Sequence, residues 1–291
     1  MATQVIDVST HNGSIDFNKV RAAGIENVII RCGFTGYGKS QTLNKDARFE
    51  ENYKKAKEAG LHVGAYYFSV ALTEADADRE ADFVLSLLKD KQFDLPIYYD
   101  VEDVHDTTQA GVLTQNMGGL SKAALTAIVN RFCETVEKAG YFVGIYSGKY
   151  WFKDKMDMSV LNRYTVWLAH WTTKTDYTGP YALWQYTDSG RVDGITTAVD
   201  MNELYQDFAS VIKRLGLNGY PKQPAEQTVL MGDVNGDGAV TEEDALLTLR
   251  RTVGLESFTE EQAKRADMDG DGNITAEDAR EILRKSAGME G

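Results

Sequence analysis

Apolar residues in the first two thirds of the chain come in short blocks separated by amphipathic stretches. The blocks NVIIRCG (27–33), LHVGAYYFS (61–69) and YFVGIYSG (141–148) each follow a helical pattern that closes on Ala-Gly, at Ala23-Gly24, Ala59-Gly60 and Ala139-Gly140. Glycine suits the left-handed residue that ends a helix. An apolar run directly behind it suits a strand covered on both faces. Patterns of helical period over 49–59, 74–88 and 121–139 predict helices between the blocks. Further strands are predicted at 4–7, 96–100, 165–169, 182–185 and 197–200, which makes eight, the number that closes a barrel. Strand–helix alternation gives an α/β class with a parallel sheet or barrel. The later strands lack long helices between them, so the second half should be irregular, ending in a helix over 202–215.

The pattern then changes. The stretch GYPKQPAEQ (219–227) holds two of the four prolines and reads as a linker. The expected division is a barrel over 1–218, a linker over 219–229 and a small module over 230–291. With 43% hydrophobic and 10% aromatic residues the chain has enough apolar material for a folded core. A net charge of −13 repels nucleic acid and anionic lipid, so neither is an expected partner. No apolar run approaches the roughly 18 residues of a membrane span, and no signal peptide is visible at Met1-Ala2-Thr3. Cys32 and Cys133 fall in apolar patterns and are expected as buried free thiols.

The stretch YYDVED (98–103) sets three acids directly behind the apolar run Leu95-Pro96-Ile97. Alternation puts Tyr98, Asp100 and Glu102 on one face of the strand, leaning toward the C-terminal opening where barrels keep their active sites. Asp7 ends the first strand and Asp200 the last, and these two strands are neighbours in a closed barrel. Four acids from three strands are thus expected at one rim. Crowded carboxylates push a pKa upward, which suits cleavage of a glycosidic bond by a protonated acid beside an anion. Taken singly, each of these acids also reads as a solvated strand end, a helix cap or a cation ligand. Tyr66, Phe68, Tyr98, Tyr146, Trp167, Trp171, Trp184 and Tyr186 lie at or near strand ends, where aromatic faces stack on sugar rings. For residues deep in a strand, such as Trp167, packing is the better reading.

The segments VIDVSTHNGSIDF, VIIRCGFTGYG, GAYYFS, PIYYDVED, GIYSG, VWLAHW and LWQYTDSGRVDGITTAVDMN resemble, in this order, the family 25 glycoside hydrolases, the Chalaropsis-type lysozymes. The resemblance covers about residues 3–210. It implies an irregular TIM-like barrel of eight strands and about five helices, and hydrolysis of the β-1,4 bond between N-acetylmuramic acid and N-acetylglucosamine in bacterial peptidoglycan. It implies Glu102 as general acid/base, Asp100 assisting at the anomeric side, and Asp7 and Asp200 completing the cluster. Sugar contacts are expected from Tyr66, Tyr98, Tyr146, Trp171, Trp184 and Tyr186, with no cofactor in the barrel. Tyr67 stands where many members carry His and Asn12 where many carry Gln, which bears on subsite shape. Same-face positions along a strand are about 6.5 Å apart, between the usual retaining and inverting separations. Substrate-assisted retention is therefore the expected mechanism. A barrel that grips peptidoglycan without cutting it, and a chitin-type hydrolase, are the alternatives.

Beyond the linker, DVNGDGAVTEED (233–244) and DMDGDGNITAED (267–278) are one twelve-residue loop repeated 34 positions on. Calcium takes six to eight oxygens around a tight turn. Asp233, Asn235, Asp237, Ala239 (through its carbonyl), Thr241 and Asp244 supply the first set, and Asp267, Asp269, Asp271, Asn273 (carbonyl), Thr275 and Asp278 the second. Leu246, Leu249, Val253, Ile282 and Leu283 are the expected large core residues, too few to hold the fold without metal. The missing first helix and the loop-then-helix repeat resemble a type I dockerin. That resemblance implies an all-α module with two Ca2+, a cohesin domain of a scaffold protein as partner, and a secreted, extracellular or cell-surface complex. Glu242, Glu243, Arg250, Arg251, Ala276, Glu277, Arg284 and Lys285 lie near where dockerins meet cohesin.

Overall fold

The first strand, β1 (Thr3–Val8), is paired on both edges, parallel to β2 (Asn27–Thr35) and antiparallel to the last strand (Val199–Leu204). A computed structural model describes residues 2–37, 40–103, 117–222 and 230–289 of the protein. The chain divides into two units, 1–222 and 223–291. In the first, β3 (Leu43–Lys45), β4 (His62–Phe68), β5 (Ile97–Asp100), β6 (Val143–Gly148), β7 (Thr165–Ala169), β8 (Leu183–Gly190) and β9 (Val199–Leu204) follow β2. Around the barrel the order is β1-β9-β8-β7-β6-β5-β4-β2 and back to β1. Eight strands close, and β3 hangs antiparallel on the end of β2 as a hairpin that the sequence pattern did not reveal. Pairing is parallel from β1 through β2 to β8, and β9 runs antiparallel to both neighbours.

The helices are α1 (Phe17–Ala22), α2 (Phe49–Glu58), α3 (Glu74–Leu88), α4 (Lys122–Lys138), α5 (Met158–Leu161) and α6 (Phe208–Leu215). Gly24, Gly60 and Gly140, behind α1, α2 and α4, have φ of +92°, +76° and +91°, the left-handed closure that only glycine adopts without strain. The final helix begins six residues later than expected, at Phe208 instead of position 202. Asn202 belongs to β9, bonded along both edges, and the Asp207 side chain caps α6 by accepting the Ser210 N–H at 3.0 Å.

Alternation sorts the side chains into two cores. Val5, Ile29, Leu95, Tyr98, Tyr146, Trp167 and Leu183 fill the barrel. Their sequence neighbours Ile6, Ile30, Tyr99 and Leu168 pack outward, with Val84, Val129 and Phe132 of the helices. Cys32 and Cys133 are buried free thiols. Tyr67 also faces this outer layer, bonded to Thr35 at 2.8 Å, so it shapes no part of the mouth.

Residues 219–222, read from their glycine and proline as linker, pack on the barrel. Gly219 accepts a hydrogen bond from Gln92 at 3.2 Å, and the Tyr220 hydroxyl donates to Asp94 at 2.6 Å. Just before them Asn218 is fully buried: its carboxamide takes the Phe142 N–H and donates to the Leu95 carbonyl, at the starts of β6 and β5. These bonds hold the tail against the barrel end where strands begin.

The second unit has helices α7 (Glu242–Thr252), α8 (Glu260–Ala266) and α9 (Ala276–Ser286). Its core is Val234, Ala245, Ala266 and Ile282. Leu246, Leu249, Val253 and Leu283, expected inside, are exposed. A loop-then-helix unit this small turns only one narrow stripe of each helix inward, and the small Ala245 and Ala279 occupy it.

Candidate active site

Asp7 lies directly opposite Asp200 in the β1–β9 pairing. Both face the interior, two residues on from Val5 and two before Asn202, which are likewise paired. Asp100 ends β5 on the same face as Tyr98 and is 5% exposed. The next residue, Val101, is pinned to β6 by its N–H to Tyr146 O (3.1 Å) and by the Ser147 hydroxyl on its carbonyl (2.6 Å). Its side chain lies in the outer core. Alternation therefore carries past the strand end and returns Glu102 to the side of Asp100, where its charge acts on Asp100, Tyr37 and Tyr146.

The acids are held by a buried amide network. Asp7 Oδ2 accepts from Asn202 Nδ2 at 2.8 Å and from Gln185 Nε2 at 3.0 Å. Asn202 Oδ1 takes the Trp167 indole N–H at 2.7 Å. Gln185 Oε1 takes the Tyr146 hydroxyl at 2.8 Å and the Trp171 indole N–H at 3.0 Å. Each amide is thus oriented by an aromatic donor and presents its N–H to one carboxylate oxygen.

Burial raises Asp7 well above the usual carboxylate range, and the charge of Asp200 raises it further. Burial, with Asp188, pushes Asp200 up to about 6. Asp100 is raised well above its ordinary value by burial, then by Glu102 and Asp7, against the pull of Arg31. Its Oδ1 is buried without a hydrogen-bond partner among the described residues. Like charges confined in one hollow cannot all ionise near neutrality, so this cluster stores a proton beside an anion.

The expected sugar contacts divide. Tyr146 pairs with Asp100 across β5 and β6, and Tyr66 with Tyr98 one layer below; burial and then the charges of the cluster raise both hydroxyls. Trp171 stands at the rim, 59% exposed, with its N–H on Gln185. Tyr98 is fully buried with its edge on Trp167 and forms floor. Trp184 and Tyr186 lie outside the barrel. Leu183 and Gln185 of β8 face inward, so Trp184 turns to the outer core and Tyr186 donates to Gln4 at 2.9 Å. Neither reaches the mouth. Gln185, Asn202, Arg31 and Tyr37 belong to the site and were not singled out from the sequence. Their signal was a polar or charged residue inside an otherwise apolar strand, in LWQY, VDMN and VIIRCG, or in the case of Tyr37 an aromatic just past one.

A barrel with an acidic cluster at its C-terminal mouth defines a glycosidase-type site. Residues 6–195 match the model of Glycosyl hydrolases family 25, and residues 231–285 match the Dockerin type I domain. The chain belongs to the glycosyl hydrolase family 25, with an irregular TIM-like barrel and a small helical dockerin region. It is 28% identical over 199 residues to the autolytic lysozyme of Clostridium acetobutylicum, covering 68% of this chain and 54% of that one. The modular autolysin LytC of Streptococcus pneumoniae, solved with a synthetic peptidoglycan ligand, superposes with a TM-score of 0.61 at 28% identity, over 70% of this chain and 47% of that one. The chain thus spans about half the length of these two relatives. The bacterial lysozyme of Streptomyces coelicolor gives a TM-score of 0.59 at 27% identity, over 75% of this chain and 98% of that one.

In the dockerin, both loops use their first aspartate alike. Asp233 takes the N–H groups of Gly236, Asp237 and Gly238, and Asp267 those of Gly270, Asp271 and Gly272, all within 3.1 Å. Gly238 and Gly272 make the sharp turn at φ of +93° and +83°. Carboxylate oxygens of Asp267, Asp269 and Asp271 lie within 4.8 Å of one another. Thr241 and Thr275 cap α7 and α9, bonded to the closing residues Asp244 and Asp278. A donor set made of oxygens around a glycine turn fits calcium, the ion that type I dockerins bind. Asp233, Asn235, Asp237 and Asp244, and Asp267, Asp269, Asp271 and Asp278, would hold it.

Proposed function

We propose that the barrel hydrolyses the β-1,4 bond between N-acetylmuramic acid and N-acetylglucosamine in peptidoglycan, with retention assisted by the substrate. The muramyl 2-acetamido oxygen attacks C1 while the bond from C1 to the leaving oxygen breaks. Glu102 gives its proton to that oxygen. Asp100 accepts the acetamido N–H and offsets the positive charge of the oxazolinium ring. Water then attacks C1 and returns a proton to Glu102, so the anomeric configuration is kept. Asp7 and Asp200 bound the hollow, while Tyr66, Tyr146 and Trp171 offer aromatic surface to the glycan. The observation that carries this reading is the buried Oδ1 of Asp100 beside Glu102, an acceptor with no hydrogen-bond partner among the described residues.

The dockerin, folded around two Ca2+, would dock on a cohesin domain of an extracellular or cell-surface scaffold. The exposed apolar strip of Leu246, Leu249 and Leu283 between α7 and α9 supports this. Among the described residues no helix is long and apolar enough to cross a membrane. Mass spectrometry of digested peptidoglycan tests the bond: muramic acid at the new reducing end is expected, and glucosamine there would refute it. Proton NMR of the first-formed anomer tests retention.

A further inference from the structure

Trp171 stands exposed at the rim, yet its surroundings tie it down. It follows β7, whose last residue Ala169 pairs with Gln185 of β8. His170, between Ala169 and Trp171, gives its N–H to the Gln185 carbonyl at 3.1 Å and takes the Trp184 indole N–H on its own carbonyl at 2.9 Å. The Trp171 indole N–H then reaches back to Gln185 Oε1 at 3.0 Å. An exposed ring is ordinarily free to change rotamer. This one is fixed through its backbone and at one edge, so it loses little freedom when a ligand arrives. Gln185 itself is 3% exposed. An indole N–H only donates, so the carbonyl end of the amide must face Trp171 and the Tyr146 hydroxyl, and its NH2 end is left for Asp7 Oδ2 at 3.0 Å. The same Asp7 oxygen takes Asn202, and two donors on it set the plane of the carboxylate. One amide thus stands between an exposed aromatic ring and a buried acid of the hollow.

We infer that Gln185 is a positioning residue that couples the platform at Trp171 to Asp7, holding a sugar ring seated on the indole in register with the acidic hollow. This deepens the hydrolase reading and rests on it. The occupant of the platform is a pyranose of the glycan strand, whose C–H face matches an aromatic surface while its hydroxyls stay in water. Gln185 acts through Trp171 on binding and through Asp7 on the chemical step. Trp184 contributes from outside the barrel, because it secures the His170 carbonyl and with it the backbone from which Trp171 rises. A side chain that only accepts or only donates cannot take the place of this amide, which must accept from the ring and donate to the acid.

The test is steady-state hydrolysis of soluble peptidoglycan fragments by the full chain and its variants, beside nitrogen-15 NMR of the four indole N–H groups. Trp171→Ala removes platform and donor together, so KM should rise several-fold and kcat should fall. Trp171→Phe keeps a ring and removes the donor. KM should then stay near its original value while kcat falls about fivefold, the worth of one net hydrogen bond. Gln185→Met keeps the bulk and removes both ends of the amide, and kcat should fall about 10²-fold. Trp171→Phe added to Gln185→Met should cost no more than Gln185→Met alone, since the indole N–H acts only through the amide. Two merely structural roles would make the losses multiply. In Asp7→Ala the bond to the amide is gone, so the Trp171 indole signal, assigned by its loss in Trp171→Phe, should shift while that of Trp151 in the outer core stays. An unchanged kcat in Trp171→Phe, multiplied losses in the double variant, or an unmoved Trp171 signal in Asp7→Ala would overturn the inference. Should Gln185→Met or Asp7→Ala fail to fold, Trp171→Phe, a change at an exposed ring, decides. If the unaltered chain releases no glycan, the hydrolase reading fails, while the indole spectra still decide whether Trp171 and Asp7 are linked.

Discussion

Asp7 and Asp200 face each other across the first and last strands of the barrel, and burial pushes both carboxyls above their ordinary range. Barrel closure itself brings them together. Two residues nearly two hundred positions apart become partners because β9 turns back antiparallel against β1.

That pair makes stability depend on pH. Asp200 titrates at about 6 in the fold against an ordinary 3.8. Between those values the folded chain binds more protons at Asp200 than the unfolded one, so the contribution of Asp200 to stability falls as pH rises through the window and levels off above it. Asp200→Asn removes that contribution. The variant barrel should melt higher than the original at pH 7, with the gap closing by pH 4, as followed by thermal unfolding across that range.

Glu102→Gln keeps shape and removes the proton. Hydrolysis should fall by about 10²–10⁴-fold while the melting temperature of the barrel stays unchanged. A dye-release assay on purified cell walls, run beside calorimetry, measures both. Full activity in this variant would remove Glu102 from the chemistry.

Chelation should act on one unit alone. The dockerin core is four residues, two of them alanine, and the like-charged loops repel without a cation. Adding a chelator should melt α7–α9 and leave the barrel transition in place. A single cooperative transition indifferent to chelator would contradict this.

Asp94 closes the opposite end of the barrel. Burial by itself would raise it, but bonds from His62, Lys57, Tyr220 and Lys213 hold it well below the usual range. Its stabilisation is present above its ordinary pKa and lost as pH falls below. Asp94→Ala strands two lysines and should cost about 3 kcal/mol, read by urea unfolding at pH 7. The deficit should shrink in acid.

The helices over 49–58 and 74–88 and the barrel strands were legible because their patterns are local: helical periods, Ala-Gly closures and apolar blocks. The final helix was misplaced because Asn202 and Leu204 fit a helical period as well as a strand, and only pairing with β1 and β8 decides between them. The acids at 7, 100, 102 and 200 stood out as carboxylates behind apolar runs. Gln185 and Asn202, which orient Asp7, did not, since an amide in a strand means nothing until its partner across the barrel is known. Trp184 was misjudged for a similar reason. One step along β8 separates the inward face of Gln185 from the outward face of Trp184, and sequence alone leaves that phase open.

Asn218 and Tyr220 fasten the tail at the end of the barrel away from the carboxylates. Any pull transmitted through the tail therefore enters the protein at the Asp94 cluster and the starts of β5 and β6. Asp100 and Tyr146 sit at the far ends of the same two strands, a full strand length from where the tail is fastened.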